Sequence, residues 1–417
     1  MRSFLKNIFA KQHTFISSVL LGMLLWVMAF LLLPIETSKI SNETIAYLAS
    51  CFTLFIVGFY VFKFKNTTKF FKNSNNSKYF IISIVLLIVA IAIRYIDLFY
   101  YRLVSFSFSF IENKKLIREN ATKAPLIITL ISTLRAMYFL PLLFLVIKKS
   151  KHKVNWLLGI VVIIFASVEI LLVGTRKPIF HLLLMLFFSI IYTYGIGNFL
   201  TKKNIVLSVI TLICLGFFSY IILNKRVTEN TGSHLGILKV VDSRYNDFVK
   251  INKNKLEDLY NNPTSTALKT ELLLIHTGQY IVHGVYELDY VIRNDFPKAN
   301  GMYSFNPIYK LLHRLKLINV KSDQLSKSHP RDYVYLTFFG SLFVDFGWLS
   351  LVLAFVFGVF QKLIHQLSEV NLLAKLFWIV LLSINVAMPV FNLLAGSGLY
   401  VFLSLCLLLL LSLKFKT

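Results

Sequence analysis

The stretch YVYLTFFGSLFVDFGWLSLVLAFVFGVF, Tyr333–Phe360, decides the fold. Its 28 residues carry one charge, Asp345, and are otherwise apolar or small and neutral. As an α-helix they exceed the roughly 20 residues needed to cross ~30 Å of hydrocarbon. Excess length is absorbed by tilt or by a break, and a break is expected near Gly340 or Gly347. It would leave Asp345 beside a cavity.

Apolar runs of similar length recur near 14–34, 45–62, 79–98, 125–147, 156–173, 178–197, 205–223, 335–360, 371–388 and 395–413. With 57% hydrophobic residues, 39 Phe and a mean hydropathy of +0.70, the chain is too apolar for a water-soluble fold of its 417 residues. Hydrocarbon leaves no backbone group unpaired, and no run shows the alternation of a barrel. The pattern therefore predicts an all-α polytopic membrane protein of about ten transmembrane helices. Helices one to seven occupy 1–223, a large external loop 224–334, and helices eight to ten 335–417. The first run follows Arg2, Lys6 and Lys11 but has no small-residue cleavage site, so it reads as a retained helix.

Lys and Arg resist translocation when they lie close to a helix end. Lys63, Lys65, Lys69, Lys72 and Lys78 fill the second loop, Lys148, Lys149, Lys151 and Lys153 the fourth, Lys202 and Lys203 the sixth, and Lys414 and Lys416 the tail. These loops share one side of the membrane, which is assigned to the cytoplasm together with both termini. The net charge of +25, from 44 basic and 19 acidic residues, follows largely from this pattern. Lysines scattered over separate loops do not make the continuous basic face that a nucleic acid requires, so no such partner is expected. Cys51, Cys214 and Cys406 lie inside predicted spans and give no disulfide framework. His276 and His283 have no third ligand at useful spacing, so neither a metal site nor a cofactor is expected.

The external loop holds one convincing helix, ELLLIHTGQYIVHGVYELDYVIRN, Glu271–Asn294. His276, Gln279, Tyr280, His283, Tyr286, Glu287 and Tyr290 recur there at intervals of three and four and share one face, with Leu and Val opposite. Two readings suit the stripe. Aromatic rings with polar neighbours fit a sugar-binding surface, and an amphipathic helix with Tyr fits the membrane interface. The two are compatible when the substrate is lipid-anchored.

A charge in hydrocarbon asks for a partner or a purpose. Arg94 and Asp97, three apart, are placed to pair on one helix face. Arg135 and Glu169 either pair across helices or leave Arg135 lining a cavity. The turn LLVGTRKPIF, Leu171–Phe180, keeps Arg176 and Lys177 in a short external loop, against the usual charge bias. An external anion such as a lipid pyrophosphate would account for them, as would snorkelling to phospholipid headgroups. Where the large loop meets the membrane stand His329, Arg331 and Asp332, the last equally suited to cap the next helix.

The segment from Tyr333, with Thr337, Asp345-Phe346-Gly347 and Gly358, resembles the Thr-rich, Asp-Phe-Gly segment of Wzy-type oligosaccharide repeat-unit polymerases. LLVGTRKPIFHLLLMLFF is similar to their Gly-small-Arg turn, and TGQYIVHGV to a Tyr and Gly stretch in their large loop. The related O-antigen ligases look alike in topology but carry a His-Asn pair where Leu336 and Thr337 stand here, which favours the polymerase. A lipid-linked sugar flippase or transporter stays open as another class, although no internal repeat is visible.

The resemblance implies a GT-C-like glycosyltransferase in the bacterial cytoplasmic membrane, working without metal or nucleotide sugar. It would join undecaprenyl-pyrophosphate-linked oligosaccharides at the outer face into O-antigen or capsular polysaccharide, with a chain-length regulator as partner. His329, His283 and Asp332 become candidates for the catalytic base. Arg176, Lys177, Arg331 and Arg135 become candidates for the pyrophosphate, and His276, Tyr280 and Asp345 for other substrate contacts.

Overall fold

The computed structural model describes residues 13–33, 35–64, 78–120, 123–174, 177–196, 201–206, 244–262, 266–319, 330–331 and 334–411, with isolated positions between 208 and 225. In chain order, α1 (Thr14–Leu32) and α2 (Asn42–Val61) flank a short strand, β1 (Ile35–Thr37). α3 (Lys78–Ile96) continues into a π-helical turn, Asp97–Tyr101, and α4 (Phe110–Glu119) follows. The run at 126–147 is split into α5 (Leu126–Thr133), a 3-10 turn (Leu134–Met137) and α6 (Leu140–Ile147). Then come α7 (Lys153–Val173), α8 (Lys177–Tyr194), β2 (Val249–Ile251), α9 (Lys253–Asn261), α10 (Thr266–Arg293) and α11 (Asn306–Arg314). The chain closes with α12 (Phe338–Phe346), α13 (Ser350–Leu367), α14 (Leu372–Ala387) and α15 (Ser397–Leu411).

Among the described residues, six helical segments are long and apolar enough to cross a membrane: 14–32, 42–61, 80–101, 126–147, 153–173 and 338–367. Three further apolar helices, at 178–194, 372–387 and 398–410, are shorter. The expected seventh span, 205–223, falls mostly outside the described residues. The chain is thus a mostly helical membrane protein. It is not purely α: β1 and β2 pair antiparallel, Glu36 opposite Lys250, joining the α1–α2 connection to the segment before α10.

Contacts divide the chain into two compact units that ignore its linear order. The first comprises 1–14, 74–236 and 403–408, and the second 15–73, 237–402 and 409–417. In the second unit, α2 and α13 approach to backbone distance. A Cβ on Gly58 would lie 2.2 Å from the Phe355 carbonyl oxygen, and one on Gly358 2.1 Å from that of Phe55, so only glycine permits this crossing. α14 is buried on every side from Leu376 to Asn385, as a helix apolar on nearly every side should be. Its Asn385 amide exchanges hydrogen bonds with Gln361 (2.8 and 3.0 Å) and donates to Ser18 (3.0 Å), tying α1, α13 and α14 together.

The stretch that decided the fold is broken where its sequence allows. Thr337 caps α12, its Oγ1 accepting the Gly340 N–H at 2.9 Å. Gly347 ends α12 at φ +56°, a conformation that favours glycine, and a 3-10 turn then leads into α13. No cavity opens at Asp345. Its carboxylate is fully buried and accepts the backbone N–H groups of Tyr303 (2.9 Å) and Ser304 (2.8 Å), while its own carbonyl accepts from Asn300 at 3.0 Å. The acid sits in an apolar helix because the 299–304 turn docks on it.

Candidate functional site

In the second unit the functional candidates gather around α10. The helix forms as its pattern predicts, but much of the polar stripe faces protein: Gln279, His283, Tyr286 and Glu287 are buried, as are Val282, Leu288 and Val291, while His276, Tyr280 and Tyr290 stay half-buried. Gln279 Nε2 donates to the Val249 carbonyl and to Asn246 Oδ1, each at 2.7 Å, so the stripe holds β2. Asp289 accepts from the Ser41 N–H (2.8 Å), the Ser41 hydroxyl (2.5 Å) and Thr44 Oγ1 (2.8 Å), anchoring the start of α2. Those donors hold its carboxyl below the ordinary range against the opposing effect of burial.

Arg331 is the centre of this cluster. Its guanidinium pairs with Asp247, lies 3.2 Å from Glu287 Oε1 and donates to the Arg244 carbonyl at 3.1 Å. It also stacks on the rings of Phe248 and Tyr290, 4.6 and 5.5 Å from their centroids. Two carboxylates already balance this cation. Burial pushes the Glu287 carboxyl up to about 7, with Arg331 opposing the rise and Asp247 adding to it.

His283 is committed to the backbone through both ring nitrogens. Nδ1 lies 3.0 Å from the carbonyls of Gln279 and Tyr280 and must donate, so Nε2 accepts the Tyr335 N–H at 3.1 Å. Burial drives its pKa down to about 4, keeping the ring neutral. Tyr245 packs 4.2 Å from the His283 ring and 5.5 Å from that of His276. Tyr280 lies 5.3 Å from Tyr335 and 6.0 Å from Phe391. His276 and Tyr280 are both half-buried.

The first unit holds a second cluster, within its apolar helices. Arg94 pairs with Asp97, as their spacing predicts, and also donates to Glu169 at 2.6 Å. Arg102 reaches both oxygens of Asp97 at 3.0 Å, and Arg135 donates to Glu169 at 2.8 Å. Arg135 therefore pairs across helices, the first of its two expected arrangements. Three guanidinium groups here face two carboxylates, leaving one positive charge among the described residues. Among the described residues, the buried Nε atoms of Arg94 and Arg135 have no hydrogen-bond partner, while the Arg135 side chain as a whole stays 30% exposed. Three residues on, Tyr138 donates to the Pro178 carbonyl at 2.9 Å, bringing the start of α8 against this wall.

Of the expected site residues, the structure brings His276, Tyr280, His283 and Arg331 into one cluster and Arg135 into another. Asp345 belongs to neither and serves the 299–304 turn. His329, Asp332 and Arg176 lie outside the described residues, and Lys177 is described only as the first residue of α8. Sequence reasoning missed Asp247, Tyr245 and Tyr335, which no periodicity marks, and Glu287 as the partner of Arg331. No family model, curated protein or solved structure matches the chain.

Proposed function

We propose that the protein is a glycosyltransferase that polymerises undecaprenyl-pyrophosphate-linked oligosaccharide repeat units into O-antigen or capsular polysaccharide at the outer face of the bacterial cytoplasmic membrane. One observation supports this reading above the others: among the described residues, three arginines share two carboxylates inside the apolar helices of the first unit, and the Arg135 side chain stays 30% exposed there. An intramembrane cationic excess needs an anion, and a lipid pyrophosphate brings one to that depth on its own carrier.

In the reaction the bond from the donor sugar's anomeric carbon to the pyrophosphate breaks as the acceptor hydroxyl oxygen bonds that carbon. The leaving oxygen takes the electron pair, and Arg135 stabilises its charge, with Arg176 and Lys177 as further candidates from the sequence. The acceptor's proton goes to a base, for which the family resemblance gives His329, His283 and Asp332 as the candidates. His283 would first have to release the Tyr335 N–H. Arg331, already balanced, fits a positioning part. A chain-length regulator is the proposed protein partner.

Deleting the gene and running the host's surface polysaccharide on a gel tests this. A single repeat unit on its normal acceptor, with the ladder gone, is expected. Loss of every repeat unit, or an unchanged ladder, overturns it.

A further inference from the structure

Tyr335 has buried neighbours on both sides, Val334 and Leu336, yet is itself 47% exposed, so an anchored backbone projects its ring outward. The anchoring is specific. His283 Nε2 takes the Tyr335 N–H at 3.1 Å, and the Phe338 N–H donates to the Met388 carbonyl at 2.9 Å. A Cβ on Gly284 would lie 2.7 Å from the Val390 carbonyl oxygen, so α10 sits directly against the turn that carries Phe391. Three segments distant in sequence thus fix three rings together: Tyr335 is 5.3 Å from Tyr280, which is 6.0 Å from Phe391.

We infer that Tyr280, Tyr335 and Phe391 form a stacking site for a pyranose ring of the acceptor glycan, an inference that rests on the glycosyltransferase reading. Rings held by backbone hydrogen bonds lose little entropy when a ligand stacks on them. The chemistry of the patch separates it from the lipid-facing surfaces of the same unit. Those expose aliphatic side chains such as Leu20, Leu24, Val352 and Val356, which have no group to meet a hydroxyl. The patch instead offers two phenols, with His276 one helical turn from Tyr280. Ring faces suit the C–H face of a sugar, and phenol and imidazole groups suit its hydroxyls. Tyr also concentrates at membrane interfaces, and that competing occupant is an outcome of the test.

The test uses full-length protein in lipid nanodiscs and saturation-transfer NMR with the methyl glycosides of glucose, galactose, N-acetylglucosamine and rhamnose. Transfer to the ring C–H protons of at least one glycoside is expected. Tyr335→Phe keeps the ring face and should bind more tightly than Tyr335→Ala and Tyr335→Leu, which should bind about tenfold more weakly than the wild type for loss of one stacking partner. Binding that survives both of those substitutions overturns the inference. So does the absence of transfer to every glycoside, which would leave the rings to the lipid interface. Free glycosides need no lipid-linked donor. A ladder unchanged by gene deletion would therefore remove the polymerase and not glycoside binding, while polymerisation without glycoside binding would remove only this site.

Discussion

Glu287 and His283 stand one helical turn apart on α10, and burial shifts them in ways that oppose each other with pH. A carboxyl whose folded-state pKa is raised stabilises the fold fully below its ordinary 4.5 and loses that contribution as pH climbs through about 7. A histidine lowered to about 4 contributes fully above its ordinary 6.5 and loses that contribution as pH falls. Glu287→Gln removes only the first effect. The unfolding midpoint of that variant minus that of the wild type should therefore rise from about pH 5 to about pH 8, and a flat or falling difference contradicts the assignment. The pair with Arg331 is the buried one, with side-chain exposures of 11% and 2%, whereas Asp247 is 58% exposed. Arg331→Met alone should cost about 3–5 kcal/mol by stranding Glu287, and adding Glu287→Gln should recover much of it. Thermal unfolding in detergent reads both.

For the helices, length and periodicity in the sequence carried much of the outcome, while partners came from elsewhere in the chain. The 28 residues around Asp345 and the glycine after it made a break at Gly347 legible. The role of Asp345 was not, because Tyr303 and Ser304 lie some forty residues away. The three-and-four spacing in α10 showed a helix but not what covers it. β2 and Arg331 reach it through the fold, so part of a stripe that looked like a surface, Gln279, His283, Tyr286 and Glu287, is interior. Arg94 and Asp97 were readable because three residues is one helical turn, whereas the Arg135–Glu169 pair needed two helices to meet. Asp345→Ala strands two buried N–H groups and should destabilise by roughly 1–3 kcal/mol for each. A lower unfolding midpoint with faster proteolysis near 299–305 is expected. An unchanged midpoint with lost activity would mean that Asp345 contacts substrate instead.

Across the whole molecule, the pairing of β1 with β2 constrains topology. The α1–α2 connection and the segment before α10 must lie on one side of the membrane, as the alternation of basic loops predicts. Glu36 and Lys250 are directly opposed. The double variant Glu36→Cys, Lys250→Cys should form an intramolecular disulfide under oxidation and react with an impermeant maleimide added outside the cell when reduced. Maleimide reactivity from the cytoplasmic side alone would invert the topology and remove the external active face.

The central claim is that the chain joins lipid-linked repeat units and that Arg135 stabilises the departing pyrophosphate. The purified protein in lipid nanodiscs, given undecaprenyl-pyrophosphate-linked repeat units from its host, tests that most directly. The wild type should build a ladder of products, and Arg135→Gln, folded by size-exclusion chromatography, should slow it by about 10²-fold or more for loss of one charge-stabilising donor. A folded wild type that leaves the repeat units unjoined, or an Arg135→Gln variant that builds the same ladder at the same rate, would contradict it.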